Sequence, residues 1–309
     1  MEITSQQNII SCASRWIQDS FYNEHLQQLA LEYIDYKFKL PLSLSNLTEI
    51  HYQIFRTEYT NCELVDLQTI IEIILLASDI LDDIQDQDSP TSPWSNEKLN
   101  HNLNVLIGLL FISLSKINTL QCSNQTKIYI NNNLYPLMLD ALNGQHEDLE
   151  NKLSNEVEYI KLATLKSGSL IFMANLLGAG EISTDNLNKV KEYSGYLGVI
   201  AQIRNDVHDL VNLENKKDLK KKKKTLPILY YLHNQDERFK VIKGYYEEIT
   251  QFEELTKRER NILKNAITNG GALTYCKIVE QIYLSKFKEC IDSMELSQHH
   301  KNLLITINI

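Results

Sequence analysis

Four aspartates, Asp79, Asp82, Asp83 and Asp86, stand at offsets 0, 3, 4 and 7 in the stretch LLASDILDDIQDQDSP, residues 75–90, with Asp88 close behind. On a helix these offsets share one face over two turns. Like charges so placed cost an isolated helix about 0.2–0.5 kcal/mol per pair. No Lys or Arg is interleaved with them, and the preceding IIEIILLA (70–77) is almost wholly apolar. The acidic face therefore ends a helix whose body is buried. Such a cluster is either a solvated face, on a chain with 40 acidic residues, or a set of ligands for a divalent cation. Hard oxygen donors select Mg²⁺ or Mn²⁺ over zinc.

A second stretch, QIRNDVHDL (202–210), repeats the offsets with Gln202, Asn205, Asp206 and Asp209. Taken alone it reads equally as a polar helix end. Together the two stretches put oxygen faces near the C-terminal ends of two apolar helices. That pairing predicts opposed faces across a cavity, where Mg²⁺, more than one ion, bridges the carboxylates to a substrate diphosphate. Two frames in the first cluster have the i,i+4 spacing, Asp79/Asp83 and Asp82/Asp86. Gln202 either orients a metal ligand or is a polar core residue. His208 lies off the ligand face and reads as a surface histidine.

The elements that must carry these groups are helices. The chain has 309 residues, 43% hydrophobic, with only 10 Gly and 5 Pro to punctuate it. Apolar residues recur at three- and four-residue spacing almost throughout, and alternating strand patterns are nearly absent. One helix runs from about Glu63 through the first cluster. Others cover 100–117, 153–179, 186–213 and 271–291, and another starts at Ile228. SPTSPWSN (89–96) and ENKKDLKKKKKTLP (214–227) are loops. The expectation is one all-α domain over residues 1–309, with about ten helices or more.

Composition narrows the function. A net charge of −9 excludes general nucleic-acid binding. The longest nearly apolar run, LNVLIGLLFISL from Leu103, is too short to span a bilayer. The N-terminus lacks a basic segment followed by an apolar core, so no signal peptide is expected. Five scattered cysteines without metal or redox spacing suit a reduced, cytoplasmic chain.

The ordered motifs resemble the trans-isoprenyl diphosphate synthase family, of the class I isoprenoid synthase helical fold. DDIQD (82–86) is similar to its first Asp-rich motif. NDVHD (205–209) is similar to the second, with Asn205 where the family usually has Asp. LKSGSLI (165–171) resembles the segment whose lysine contacts diphosphate, which implies that role for Lys166. ANLLGAGE (174–181) follows as in the family, and DLKKKKKTLP (218–227) resembles the loop that places Lys223 as the second diphosphate lysine. The interior lysines of that run otherwise read as a solvated loop. The resemblance favours Asp82, Asp83 and Asp86 as metal ligands, with Asn205, Asp206 and Asp209 opposite. Asp79 and Gln202 are left as supporting or alternative ligands. It also implies that the small residues one turn earlier, Ala77 and Ser78, leave room for a long prenyl chain.

Two family features are missing. Chain-elongating members carry a Gly-Gly-Lys-Arg segment that binds isopentenyl diphosphate. The corresponding LTEIHYQIFRTEYTN (47–61) has only Arg56 and His51 as basic residues. The paired arginines that follow the first motif in the family are replaced by DQDSPTSPW (86–94). Within the family the chain is most similar to the ComQ-type isoprenyl transferases of Bacillus quorum sensing. That resemblance implies transfer of a farnesyl or geranyl group from an allylic prenyl diphosphate to a tryptophan of a pheromone precursor peptide, with a role in competence. A homodimer is the family habit. Alternative readings are a short-chain prenyl diphosphate synthase, a terpene cyclase, or a non-catalytic regulatory homologue.

Overall fold

The computed structural model of the protein describes residues 6–56, 60–86, 91–211, 218–247 and 252–307. Among them no strand occurs, and the chain is all-α as expected. The described residues form fourteen α-helices in order: α1 (Gln6–Ser20), α2 (Glu24–Lys37), α3 (Ser43–Phe55), α4 (Asn61–Asp86), α5 (Leu99–Ile117), α6 (Asn124–Glu150), α7 (Glu156–Ala163), α8 (Ser169–Ala179), α9 (Thr184–Val211), α10 (Leu226–His233), α11 (Lys240–Glu247), α12 (Lys257–Asn269), α13 (Ala272–Asp292) and α14 (Gln298–Ile305). The helix expected over 153–179 is interrupted by a π-helical turn, Thr164–Gly168, between α7 and α8. Helix α6 has no counterpart in the periodicity reading. It is largely polar and carries Pro136 in its interior, which removes one backbone hydrogen bond. Asp88 and loop residues 89–90 and 214–217 lie outside the described residues.

The helices form two compact units, each assembled from separated stretches of chain. The first comprises residues 1–139, 169–194 and 291–309. Helix α4 is its axis, touching α1, α2, α3, α5 and α8. That enclosure explains why IIEIILLA is apolar all round: Ile70, Ile71, Ile73, Ile74 and Leu76 are all buried. Helices α3 and α8 approach closely at Gly178, where a Cβ would lie 2.2 Å from the Thr48 carbonyl oxygen. Thr48 Oγ1 donates to the Ala174 carbonyl at 3.0 Å across the same contact.

The second unit comprises residues 140–168 and 195–290. Its core has two clusters. One packs Tyr159, Ala163, Val199, Ile203, Leu226 and Leu229, and the other is aromatic, built on Tyr231, Phe239, Tyr245 and Phe252. Helix α10 begins at Leu226, two residues before the expected Ile228, with Thr225 as N-cap and Pro227 in the first turn, where its missing N–H costs nothing. The segment Glu156–Ala179 is long and apolar enough to cross a membrane by composition, and most of it is buried inside the protein.

Candidate active site

In the first unit the aspartates of α4 divide into two interleaved pairs. Asp79 forms an ion pair with Lys37 of α2. Asp83 accepts a hydrogen bond from Trp94 Nε1 at 2.7 Å. Trp94 is buried on a short turn, Pro93–Asn96, with the rings of Tyr33 and Tyr36 edge-on at 5.3 and 5.4 Å. The Asn102 amide donates to the Trp94 carbonyl at 2.7 Å, and Tyr33 donates to Asn102 at 2.5 Å. Helix α2 thus fixes both members of the Asp79/Asp83 frame. The other i,i+4 pair is Asp82, half-buried, and Asp86, buried at the helix end. Ala77 is buried, and Ser78 is half-buried with its hydroxyl returned to the Ile74 carbonyl at 3.0 Å.

The second motif is organised alike. Its first carboxylate, Asp206, is buried and accepts from the Tyr159 hydroxyl at 2.7 Å and the Gln202 amide at 2.9 Å. Ser167 in turn donates to Gln202 Oε1 at 3.0 Å. Gln202 is therefore the orienting partner of an acid. Burial pushes the Asp206 carboxyl up to about 7, against the lowering effect of these donors. Asp209 is buried and Asn205 is exposed. The His208 side chain is two-thirds exposed, with Nδ1 3.2 Å from Asp209. In both motifs an aromatic donor, Trp94 or Tyr159, holds the second of the five residues.

Both expected lysines converge in the second unit on a residue that spacing did not single out. Asp148 of α6 receives Lys166 Nζ at 2.8 Å and Lys223 Nζ at 3.0 Å. Burial raises the Asp148 carboxyl, but the two ammonium groups outweigh it and hold the group below its ordinary value. Lys166 projects from the π-helical turn, an irregularity common at functional sites. The turn packs so tightly that a Cβ on Gly144 would lie 2.4 Å from the Lys166 nitrogen, and one on Gly198 2.3 Å from the Gly168 nitrogen. Gly198→Ala must then push α9 off this turn. A loss of about 1–3 kcal/mol and weaker diphosphate binding are expected, and a thermal melt with a binding titration checks both. Asn151, in the left-handed conformation at φ 52°, clamps the lysine loop. Its amide donates to the Lys222 carbonyl at 2.9 Å and its Oδ1 accepts the Lys224 N–H at 2.7 Å. Lys223, between them, joins Asp206, Asp209 and Asp218 in lining one small cavity.

The two basic residues left in the acceptor region are built into the first unit. Arg56 donates to the Gly178 and Leu177 carbonyls at 3.1 and 3.4 Å and reaches Glu63 at 3.4 Å. His51 is fully buried between the Leu47 carbonyl and the Tyr193 hydroxyl, and burial pushes it down to about 4. It is neutral at physiological pH. Residues 57–59 of this region lie outside the described residues.

The polyprenyl synthetase family pattern matches residues 43–263. The chain belongs to that family. This polyprenyl synthetase homologue is a prenyltransferase, and its relatives include the tryptophan prenyltransferase ComQ of Bacillus subtilis (strain 168), 30% identical over 93% of each chain. The ComQ protein of Bacillus spizizenii is 29% identical over 69% of this chain and 74% of its own. Among solved structures, a geranylgeranyl pyrophosphate synthase superposes with a TM-score of 0.78, at 14% identity over 97% of this chain and 96% of that one. The corresponding synthetase of Pyrococcus horikoshii gives 0.77, at 19% identity over 97% and 93%. These establish the isoprenoid synthase helical fold.

Proposed function

We propose that this prenyltransferase takes the prenyl group of an allylic diphosphate, farnesyl or geranyl, and transfers it to a tryptophan of a peptide pheromone precursor in the cytoplasm. The observation that carries this reading is an asymmetry of charge. The groups suited to a leaving diphosphate are kept, Lys166, Lys223 and both carboxylate motifs, whereas Arg56 and His51 are consumed by packing. The Bacillus relatives, named as tryptophan prenyltransferases, support tryptophan as the acceptor.

The donor set fits Mg²⁺: it is all oxygen, with Asp86, Asp206 and Asp209 buried and burial raising Asp206. Asp82 and Asp86, with Asp83 held by Trp94, would hold the ion from α4. Asp206 and Asp209, with Asn205, would hold it from α9. Bound, Mg²⁺ would supply Lewis-acid stabilisation of the departing diphosphate. Lys166 and Lys223 exchange Asp148 for diphosphate oxygens and neutralise charge as the carbon–oxygen bond breaks. The allylic cation is attacked by an indole carbon, and the proton released as the new carbon–carbon bond forms passes to the departed diphosphate.

Incubation with labelled farnesyl or geranyl diphosphate and a tryptophan-containing peptide should yield one prenyl group on the peptide by mass spectrometry. Isopentenyl diphosphate in place of the peptide should give no elongated product. Efficient elongation would replace this reading with a short-chain synthase, and inertness towards every acceptor with a non-catalytic homologue.

A homodimer is part of the proposal. Leu99, Leu103, Ile107 and Phe111 form an exposed i,i+4 stripe along α5, the kind of apolar surface a partner covers. Light scattering should report twice the chain mass, and Phe111→Glu should halve it.

A further inference from the structure

We propose that His25, Glu97 and His101 form a second metal site, for a transition-metal dication of the Zn²⁺ type, separate from the carboxylate motifs. One ligand atom from each of the three lies within 4.8 Å of the others. His101 Nδ1 is 2.8 Å from Glu97 Oε1, and the His25 and His101 rings meet edge to face with centroids 5.1 Å apart. They come from separate places in the first unit: the start of α2, the residue that ends the Pro93–Asn96 turn, and the first turn of α5.

The chemistry is distinct from that of the Asp motifs. Two imidazole nitrogens and one carboxylate oxygen suit Zn²⁺, Ni²⁺ or Co²⁺, whereas Mg²⁺ prefers oxygen. The Lys98 N–H also donates to Glu97 Oε1, at 2.8 Å, so the carboxylate is oriented before any cation arrives. All three side chains are exposed or half-buried, so an ion can enter and water can complete the coordination. Without a cation the contact is one hydrogen bond and one ring edge. With it, three ligands fasten α2 to the segment just after Trp94. Helix α2 and Trp94 are what hold Asp79 and Asp83. Occupancy therefore tightens the scaffold of the first Asp motif without touching it.

The test uses the full chain, stripped by chelator and held in excess Mg²⁺ so that the oxygen ligands are occupied. Titration with Co²⁺ should give one equivalent, with visible d–d absorption and no sulfur-to-metal band. Zn²⁺ should displace it and raise the melting temperature. His25→Gln and His101→Asn, each checked for native helicity by circular dichroism, should weaken binding by more than the roughly 10–100-fold that loss of a supporting partner costs, and should remove the thermal shift. The assignment fails if either variant binds like the native chain, if a thiolate band appears, or if no ion binds in the presence of Mg²⁺.

Discussion

Asp82→Ala lowers prenyl transfer by about two to three orders of magnitude at saturating Mg²⁺, the scale on which loss of one preorganised charge-stabilising group acts. The expectation follows from the likeness of DDIQD to the first Asp-rich motif of the family and from the place of Asp82 near the end of α4. Asp79 and Asp83 are committed to Lys37 and Trp94, and both belong to one helical frame. Asp82 and Asp86 form the other, at the end of a helix enclosed along its apolar body. The control is Asp79→Asn. It removes the partner of Lys37 and should cost about 1–3 kcal/mol, between the limits for exposed and buried pairs, while leaving the Mg²⁺ dependence of turnover in place. A Mg²⁺ titration of initial rate for both variants separates the roles. Near-native turnover of Asp82→Ala would falsify the metal assignment, and loss of Mg²⁺ response in Asp79→Asn would move it to the other frame. The second motif should behave more mildly. In the proposed ligand set Asn205 is neutral, so Asn205→Asp should lower the Mg²⁺ concentration needed for half-maximal rate.

How much of this was readable beforehand depends on the range of the interaction. Helix α4 and its acidic end follow from apolar spacing and from offsets of 3 and 4, both local properties. So does α9 with its second motif, and so does α10 to within two residues of its start. The partners of the site were not readable in this way. Lys37 lies 42 residues from Asp79, and Tyr159 lies 47 from Asp206. Which of many polar residues closes such a contact depends on tertiary packing, and spacing carries no trace of it. Trp94 offered one usable signal. It is one of two tryptophans in the chain, and an indole in a Ser/Pro loop needs somewhere to be buried. The π-helical turn was illegible for another reason. Residues 153–179 keep helical apolar spacing, and the packing of Gly144 and Gly198 against that turn is a tertiary contact that spacing does not show. Helix α6 escaped because its surface is polar and Pro136 argues locally against a helix. Asp148 went unnoticed with it.

Asp148→Ala should leave the protein less stable but more responsive to pyrophosphate. In the native chain one buried carboxylate serves two ammonium groups, Lys166 and Lys223, each less than a fifth exposed. Removing it takes from two partly buried cations the carboxylate they share. Breaking a buried pair in this way costs about 3–5 kcal/mol. Inorganic pyrophosphate restores the missing negative charge at the same two nitrogens. It binds only the folded state, so it should recover much of the lost stability by mass action. In the native protein the same ligand must first displace Asp148, so its stabilising effect is smaller. Thermal unfolding of the native chain, Asp148→Ala and Asp148→Asn with and without pyrophosphate measures both effects. The Asn variant retains an acceptor without the charge and should fall between the other two. If Asp148 were a purely structural residue, pyrophosphate would raise the melting temperature of all three equally. If instead the carboxylate holds the place of the diphosphate, the variant that lacks it shows the largest gain, and it binds pyrophosphate more tightly than the native enzyme while transferring the prenyl group more slowly.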